Sequence, residues 1–462
     1  MGAARGAGGP VRVRSALAAS ILLLVAVAPA DTAAAARARV GGTLRLALLP
    51  EVRADRAGET PEGAVVRGLL AAPLCRLDAA GRPQPLLADV RRGPEGVNVL
   101  PRPGARLTAG ATLGSVELAQ GWLRALERSP VARALLGPVR DAAGVLERAT
   151  HAGATALSLP LLHPWPDLEA SLCHPALTPV LGTGPGDGIG PYVPDGPERG
   201  RASTTFPEGR PYPDTLALAT LSRRAAQRAL ESRAAQVLLG DGGDGAAPEL
   251  FATYLVHRPA TRPVVALLDG RLDRTALVRS FVGGPAAGMP GLLPPALGGP
   301  EVPGGVTSSS RGGGAAQLLY AQDRPGQRAV AQRLQILLRD AGVQLTVSAR
   351  TAEALDRDWR AGQGDLALRS VLLPPLPAPA LAVVLELAGD PELARRELAA
   401  LGALSDGETR GARARERALQ LAGVVPVVPL YVEGLRARLD PAGVDFRRDG
   451  FGLLVLDDAW WP

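Results

Sequence analysis

The chain has no lysine and almost no asparagine: all 51 of its basic side chains are arginine, and its one asparagine is Asn98. A phosphate-binding loop needs a lysine directly after its glycines, so this class of nucleotide site is excluded. The glycine cluster Gly182–Gly190 also lacks the spacing of a dinucleotide-binding loop. We interpret the cluster as a backbone turn that leads into Pro191 and Tyr192.

Aromatic residues are also scarce, at 3% of the chain, although the formal net charge is +6. Nucleic-acid binding needs clustered cations for phosphates and aromatic rings for bases. Here arginines alternate with Asp and Glu, as in Arg223–Arg233 and Arg395–Arg417, which is typical of solvated helix faces. We therefore expect no nucleic-acid partner.

Catalytic and metal-binding patterns are missing as well. The four histidines share no metal-ligand spacing, and no Gly-x-Ser-x-Gly turn is present to carry a serine nucleophile. Gly240–Gly245 contains two aspartates, but a single such copy is more typical of a loop tip than of a calcium site. The sequence predicts no metal, no cofactor and no enzymatic activity.

Cysteine occurs twice, as Cys75 and Cys173. An oxidising compartment would permit a disulfide between them, but both lie among apolar residues, where a buried free thiol is equally stable. Because sequence alone does not fix connectivity, both states stay open, and we favour two free thiols.

The N-terminus resembles an export signal. Arg5, Arg12 and Arg14 precede an apolar run from Ala16 to Ala30, which is followed by small residues. The run is shorter than the roughly 20 residues of a membrane-spanning helix, so we predict a cleavable signal peptide over residues 1–38. No cysteine lies near the expected cleavage point. We expect a periplasmic location without a lipid anchor.

The rest of the chain alternates predicted strands and helices, which is typical of an α/β protein with largely parallel sheets. The clearest unit lies between residues 315 and 347. Ala315–Ala321 and Val343–Val347 have the composition of strands, and Gln327–Ala341 has apolar residues at helical spacing. A helix between two strands predicts a parallel crossover. At 462 residues the chain exceeds one ordinary core, so two lobes are expected.

Seven segments, in order, resemble the extracellular solute-binding protein family of peptide and nickel ABC importers, known as family 5. They are Gly41–Arg45, Leu70–Asp89, Leu100–Leu107, Gly188–Tyr192 with Gly209–Asp214, Asp269–Val282 with Pro294 and Pro295, Ala329–Val347, and Val425–Tyr431. The resemblance implies a two-lobed periplasmic binding protein fold with mixed, largely parallel sheets and a hinge. It places lobe I at residues 41–258 and 425–462, and lobe II at residues 259–424.

The function implied by this resemblance is capture of a small solute between the lobes and its delivery to an ABC permease by a monomeric protein. Candidate cleft residues are Glu51, at the end of the first strand, and Arg369 and Ser370, at the end of a second-lobe strand. Arg369 could instead be a solvated surface side chain. The alternative function is a surface interaction or scaffold protein that keeps the fold without transport.

One departure from the family concerns the ligand. Val371 and Pro374 stand where relatives have a tryptophan and an aspartate that holds a peptide's α-ammonium group. Because a buried cation without a carboxylate is strongly destabilised, ordinary free peptides are disfavoured as ligands.

Overall fold

The structure is a computed structural model that describes residues 40–52, 60–107, 112–180, 188–242, 249–269, 272–274, 277, 286–300, 314–324, 326–443, 446–457 and 459. The predicted signal peptide lies outside these residues, as do parts of the Gly182–Gly190 and Gly240–Gly245 segments. Within the described part, no helix is both long and apolar enough to cross a membrane.

The strands found in these ranges are numbered in chain order. They are β1 (Thr43–Leu48), β2 (Cys75–Leu77), β3 (Pro83–Pro85), β4 (Ala88–Arg92), β5 (Gly96–Pro101), β6 (Leu157–Pro160), β7 (Tyr192–Pro194), β8 (Arg199–Ala202), β9 (Thr215–Thr220), β10 (Val237–Leu239), β11 (Phe251–His257), β12 (Ala286–Gly288), β13 (Gly314–Ala321), β14 (Val343–Arg350), β15 (Leu366–Leu372), β16 (Val427–Glu433), β17 (Ala437–Leu439), β18 (Arg447–Arg448) and β19 (Leu454–Val455).

The α-helices are numbered in the same way. They are α1 (Pro61–Leu70), α2 (Ser115–Arg128), α3 (Pro130–Leu136), α4 (Ala142–Ala152), α5 (Leu168–Leu172), α6 (Arg223–Glu231), α7 (Arg262–Asp269), α8 (Gln327–Asp340), α9 (Ala352–Arg360), α10 (Pro377–Ala388), α11 (Pro391–Gly402) and α12 (Gly407–Leu421).

The first large sheet has the strand order β17-β10-β1-β9-β8-β7. β1 pairs in parallel with both β9 and β10, and the other pairs are antiparallel. Helix α6 connects β9 to β10, and its buried Ala226 packs against Ala47 and Leu49 of the first strand region. Because β9 and β10 both run parallel to β1, the chain needs a crossover connection between them, and α6 provides it.

The second large sheet has the order β12-β16-β11-β15-β13-β14. β13 pairs in parallel with β14 and β15, while β11, β12 and β16 pair antiparallel. Helix α8 connects β13 to β14, so the predicted crossover is confirmed. Its buried face, which includes Val330, Leu334 and Leu338, joins an apolar cluster with Leu318 and Leu345 of the sheet. The predicted two-lobed α/β architecture with mixed sheets is therefore confirmed.

A third region, residues 60–180, carries the small sheet β4-β5-β6 and helices α1 to α5. Helix α2 begins at Ser115, and Gly114 is its N-cap. The Gly114 N–H donates to Glu117 Oε2 at 2.8 Å, which satisfies an end group that a helix otherwise leaves open. Trp122 on this helix is fully buried and donates its Nε1–H to the Leu177 carbonyl.

Cys75 and Cys173 form a disulfide, so the expectation of two free thiols is wrong. Both residues are 1% exposed, and burial among apolar residues, which we took as a sign of free thiols, also accommodates the bridge. The disulfide joins β2 to the end of α5.

Gly190, at the described end of the Gly182–Gly190 cluster, lies against the C-terminal end of α1. A Cβ atom at this position would lie 2.4 Å from the Leu70 carbonyl carbon. Close approach of two backbones, rather than ligand binding, therefore accounts for the glycine here.

Two segments cross between the large sheets. One runs from β10 to β11, and the other, Gly434–Arg436, runs from β16 to β17. The predicted lobe limits stay a prediction; β11 and β16, which they assign to lobe I, pair within the second sheet. Two chain segments that connect the same pair of sheets have the geometry of a hinge about which one sheet can rotate relative to the other.

Candidate ligand site at the seam between the sheets

The carboxyl ends of the parallel strands in the two sheets face each other across the crossings. β10 ends at Leu239, which is paired with Ala437, where the second crossing enters the first sheet. In the second sheet Phe251 is paired with both Leu372 and Glu433, so both crossings meet this sheet at the carboxyl end of β15. Open α/β sheets bind ligands outside the carboxyl ends of their strands. We call the region between these two edges the seam.

Six charged side chains from both sheets gather at the seam, and we call them the seam cluster: Glu51, Glu62, Glu249, Arg324, Glu433 and Arg436. Glu51 follows β1, Glu62 lies in the first turn of α1, and Arg324 follows β13. Four carboxylates meet two guanidinium groups, so the cluster carries an excess of negative charge when all six are ionised.

Glu62 and Arg436 are bonded to each other. Helix α1 starts at a Thr60 cap whose side chain accepts the Gly63 N–H, which places Glu62 in the first turn. Its Oε1 accepts both the backbone N–H and the Nε–H of Arg436, at 3.0 and 3.1 Å. Burial lowers the pKa of Arg436, but the charges of Glu62 and Glu433 outweigh burial, and the net direction is upward. This pair ties α1 to the second crossing.

Glu433 is the most perturbed acid of the cluster. It is 8% exposed, and burial raises its pKa to about 7, with repulsion from Glu62 and Glu249 adding to the rise and attraction from Arg436 and Arg324 opposing it. Burial also raises the pKa of Glu249. Two of the four seam carboxylates are therefore destabilised in their charged form.

Glu51, the first predicted site residue, lies at the seam as expected. Its side chain is 31% exposed, and its Oε1 lies 4.0 Å from Arg223 Nη2. Arg223 has a closer partner in Asp241. Glu51 thus follows a parallel strand and is partly exposed to solvent.

Arg369, the second predicted residue, is neither a solvated side chain nor open to a ligand. Its side chain is 10% exposed and its Nη2 donates to Asp356 Oδ1 at 2.6 Å. Burial lowers the pKa of Arg369, while Asp356 opposes that shift. Asp356 also lies within ion-pair distance of Arg133 and Arg360. The reading of Arg369 as a surface residue is wrong.

Ser370, the third predicted residue, belongs to a buried chain of polar groups. Its Oγ lies 2.8 Å from Thr253 Oγ1 and accepts a hydrogen bond from Gln327 Nε2 at 2.7 Å. Tyr431 is hydrogen bonded to the same threonine. Because consecutive residues of a strand point to opposite faces, Arg369 and Ser370 do not share one face of the sheet.

The carboxyl end of β15 is covered by His174. Its Nδ1 accepts the Ala176 N–H at 3.0 Å, so the neutral ring carries its proton on Nε2, which donates to the Leu372 carbonyl at 3.0 Å. Burial lowers the pKa of His174 to about 4. Val371 and Pro374, which replace the family's tryptophan and aspartate, are both buried.

A separate cavity of about 40 Å³ lies beside α1, among Arg76, Asp449 and Asp457. This volume holds no more than about three water molecules, so the cavity is too small for a peptide-sized solute. Among the described residues, no group of three or more His, Cys, Asp or Glu side chains could hold a metal ion. The seam is therefore the better candidate site.

Of the seam cluster, sequence reasoning named only Glu51 and missed the other five members: Glu62, Glu249, Arg324, Glu433 and Arg436. One signal was present, because Glu433 directly follows the apolar run that forms β16. A charged residue at the end of a buried strand is a candidate for an edge site. The other members become neighbours only through the fold.

No protein-family model matches the sequence, and no curated protein matches it significantly. Solved structures do. The murein tripeptide-binding protein MppA of Escherichia coli superimposes with a TM-score of 0.69 at 16% identity, over 91% of this chain and 98% of MppA. A substrate-binding protein of Microbacterium hydrocarbonoxydans, solved with 4-hydroxybenzoate hydrazide, gives 0.67 at 17% identity, over 91% and 99%.

NikA of Staphylococcus aureus, solved with Ni(L-His)2, gives a TM-score of 0.65 at 12% identity, over 91% of this chain and all of NikA. Such coverage at such low identity shows a shared architecture. The chain has the two-lobed α/β fold of the extracellular solute-binding proteins.

Proposed function

We propose that this chain is the solute-binding component of an ABC importer, which captures a small solute at the seam and delivers it to a membrane permease. The observation that carries the proposal is the meeting of two opposed carboxyl edges, joined by two crossings, with a cluster of charged side chains between them. The fold shared with binding proteins of peptides, nickel complexes and a hydrazide supports it.

The proposed mechanism is closure of the two lobes around the solute, with no chemical reaction. The two crossings act as hinges, and a solute that contacts both edges stabilises the closed arrangement over the open one. The permease then recognises the closed form. We expect the protein to act in the periplasm as a monomer, after removal of the signal peptide.

Ligand contacts by Glu51, Arg369 and Ser370 stay predictions. Glu51 has the best support because it is partly exposed at the carboxyl end of β1. Arg369 and Ser370 would have to leave Asp356 and Thr253 to reach a solute. The burial of Val371 and Pro374 agrees with a ligand other than an ordinary free peptide.

A thermal-shift screen of the mature chain tests the proposal. We expect one class among short peptides, opines, sugars and chelated nickel to raise the melting temperature, because a ligand at 100 times its Kd stabilises the folded state by about 2.7 kcal/mol. Small-angle scattering on the stabilising class should show a smaller radius of gyration. If every class fails in both measurements, the scaffold function replaces transport.

A further inference from the structure

Glu433 is largely buried as a residue, and its carboxylate has no bonded cation among the described residues. More than nine-tenths of the residue is excluded from solvent, yet among the described residues no hydrogen bond or ion pair reaches its side chain. A buried carboxylate in this condition is costly unless a partner neutralises it. Natural proteins retain such groups mainly where they have a role.

The two arginines near Glu433 attract it, but among the described residues neither forms an ion pair with it. Arg436 is already bonded through its backbone and Nε to Glu62. Arg324 lies with its guanidinium 5.6 Å from the centre of the Phe251 ring, and it has further contacts. Glu249 and Glu62 add negative charge around Glu433 from the first crossing and from α1. The acids of the seam cluster therefore outnumber its arginines around Glu433.

We propose that Glu433 binds a cationic organic group of the solute, an ammonium, amidinium or guanidinium, with Glu249 and Glu51 adding attraction. This inference rests on the proposed function and names the class of solute. An organic cation fits better than a metal ion, because the described acids of the seam are too dispersed for metal coordination, whereas an ammonium or guanidinium group spreads its charge over several donors.

The position of Glu433 suits this role. Its register partner Phe251 lies on the same face of the sheet, so an apolar ring is available beside the carboxylate for the stem of a cationic solute. The residue also lies at the start of the second crossing. A cation held there would contact the hinge itself, and its binding would favour closure.

Binding should also displace a proton. The pKa of Glu433 is about 7, raised by burial and faced by Arg436, Arg324, Glu62 and Glu249. A bound cation favours the ionised carboxylate and lowers this pKa. Between pH 6 and pH 8 the ionised fraction of a group with a pKa of 7 rises about tenfold, so affinity for a cationic solute should rise by about the same factor.

The experiment uses two matched pairs of probes with the mature chain: cadaverine and 1,5-pentanediol, and benzamidine and benzamide. Thermal shift and calorimetry are run at pH 6 and pH 8. Variants are Glu433→Gln and, as control, Glu147→Gln, which changes an exposed acid on α4. We expect the cationic member of at least one pair to bind more tightly, and to bind about tenfold or more weakly to Glu433→Gln, with no change in the control.

Each other outcome overturns the inference in a distinguishable way. Equal binding of the charged and uncharged members, or an unchanged affinity in Glu433→Gln, removes the role of Glu433 and leaves solute binding intact. If neutral solutes from the wider screen bind and no cationic probe binds, the role of Glu433 is likewise removed while solute binding stays intact. If neither the probes nor the wider screen bind, the proposed function falls together with the inference. Should Glu433→Gln fail to fold, a flat pH dependence in the unaltered chain decides against the proposal.

Discussion

Replacing both cysteines by alanine, as Cys75→Ala with Cys173→Ala, should destabilise the folded chain strongly. The disulfide closes a loop whose ends are 98 residues apart. In the chain-entropy treatment, a loop of this length lowers the entropy of the unfolded chain by about 16 cal/mol/K, which is about 4.7 kcal/mol at 25 °C. For a chain of 462 residues, the melting temperature should fall by about 5 °C.

The structure supplies its own reporters for this measurement. Trp122 and Trp165 lie inside the loop and are buried, so their fluorescence follows urea unfolding of the region that the disulfide restrains. Dithiothreitol should reproduce the loss in the unaltered chain and have no effect on the variant.

Two results would refute the reasoning. One is a loss of less than about 1 kcal/mol in the double variant, which would mean that the loop is ordered in the unfolded chain. The other is titration of two free thiols in the urea-unfolded, unreduced protein, which would mean that the bridge does not form.

Two further predictions concern buried charged or titratable groups. Asp356→Asn should lower the free energy of unfolding by about 3–5 kcal/mol, because it leaves buried Arg369 without its carboxylate. Urea unfolding midpoints measure this loss. The control is Arg395→Met, which removes one member of an exposed ion pair and should lower the free energy of unfolding by less than about 1 kcal/mol. A loss as small in Asp356→Asn as in that control would contradict the argument. His174 has a pKa of about 4 against 6.5 when unfolded, so the unfolded chain binds a proton first as the pH falls, and stability should drop by about 3 kcal/mol between pH 6.5 and 4. His174→Asn should lose this part of the pH dependence, and equal slopes in both proteins would rule the explanation out.

The parts of the fold that the sequence predicts are those with a clear period. Helix α8 was predictable because Val330, Leu334 and Leu338 recur at helical spacing between two apolar strands. β11 and α10 were not predicted. Phe251–His257 is buried throughout and Pro377–Ala388 almost throughout, and an element buried on all sides has no polar face to mark its period.

Only the part of the candidate site that lies at the end of a single predicted strand could be predicted from the sequence. Glu51 follows from the end of β1, but the burial of Arg369 depends on Asp356 in α9, a helix that the sequence did not indicate. The bond between Glu62 and Arg436 joins residues 374 positions apart. Pairings of this kind arise from topology, which single-sequence patterns do not encode.

The edge strand of the first sheet, Ala437–Leu439, follows all strands of the second sheet in the sequence and pairs with β10. Residues 437–439 are synthesised long after the β10 residues with which they pair, so the first sheet stays incomplete until that part of the chain has been made. A sheet that is completed so late leaves the chain unfolded for longer, which agrees with the export that we propose.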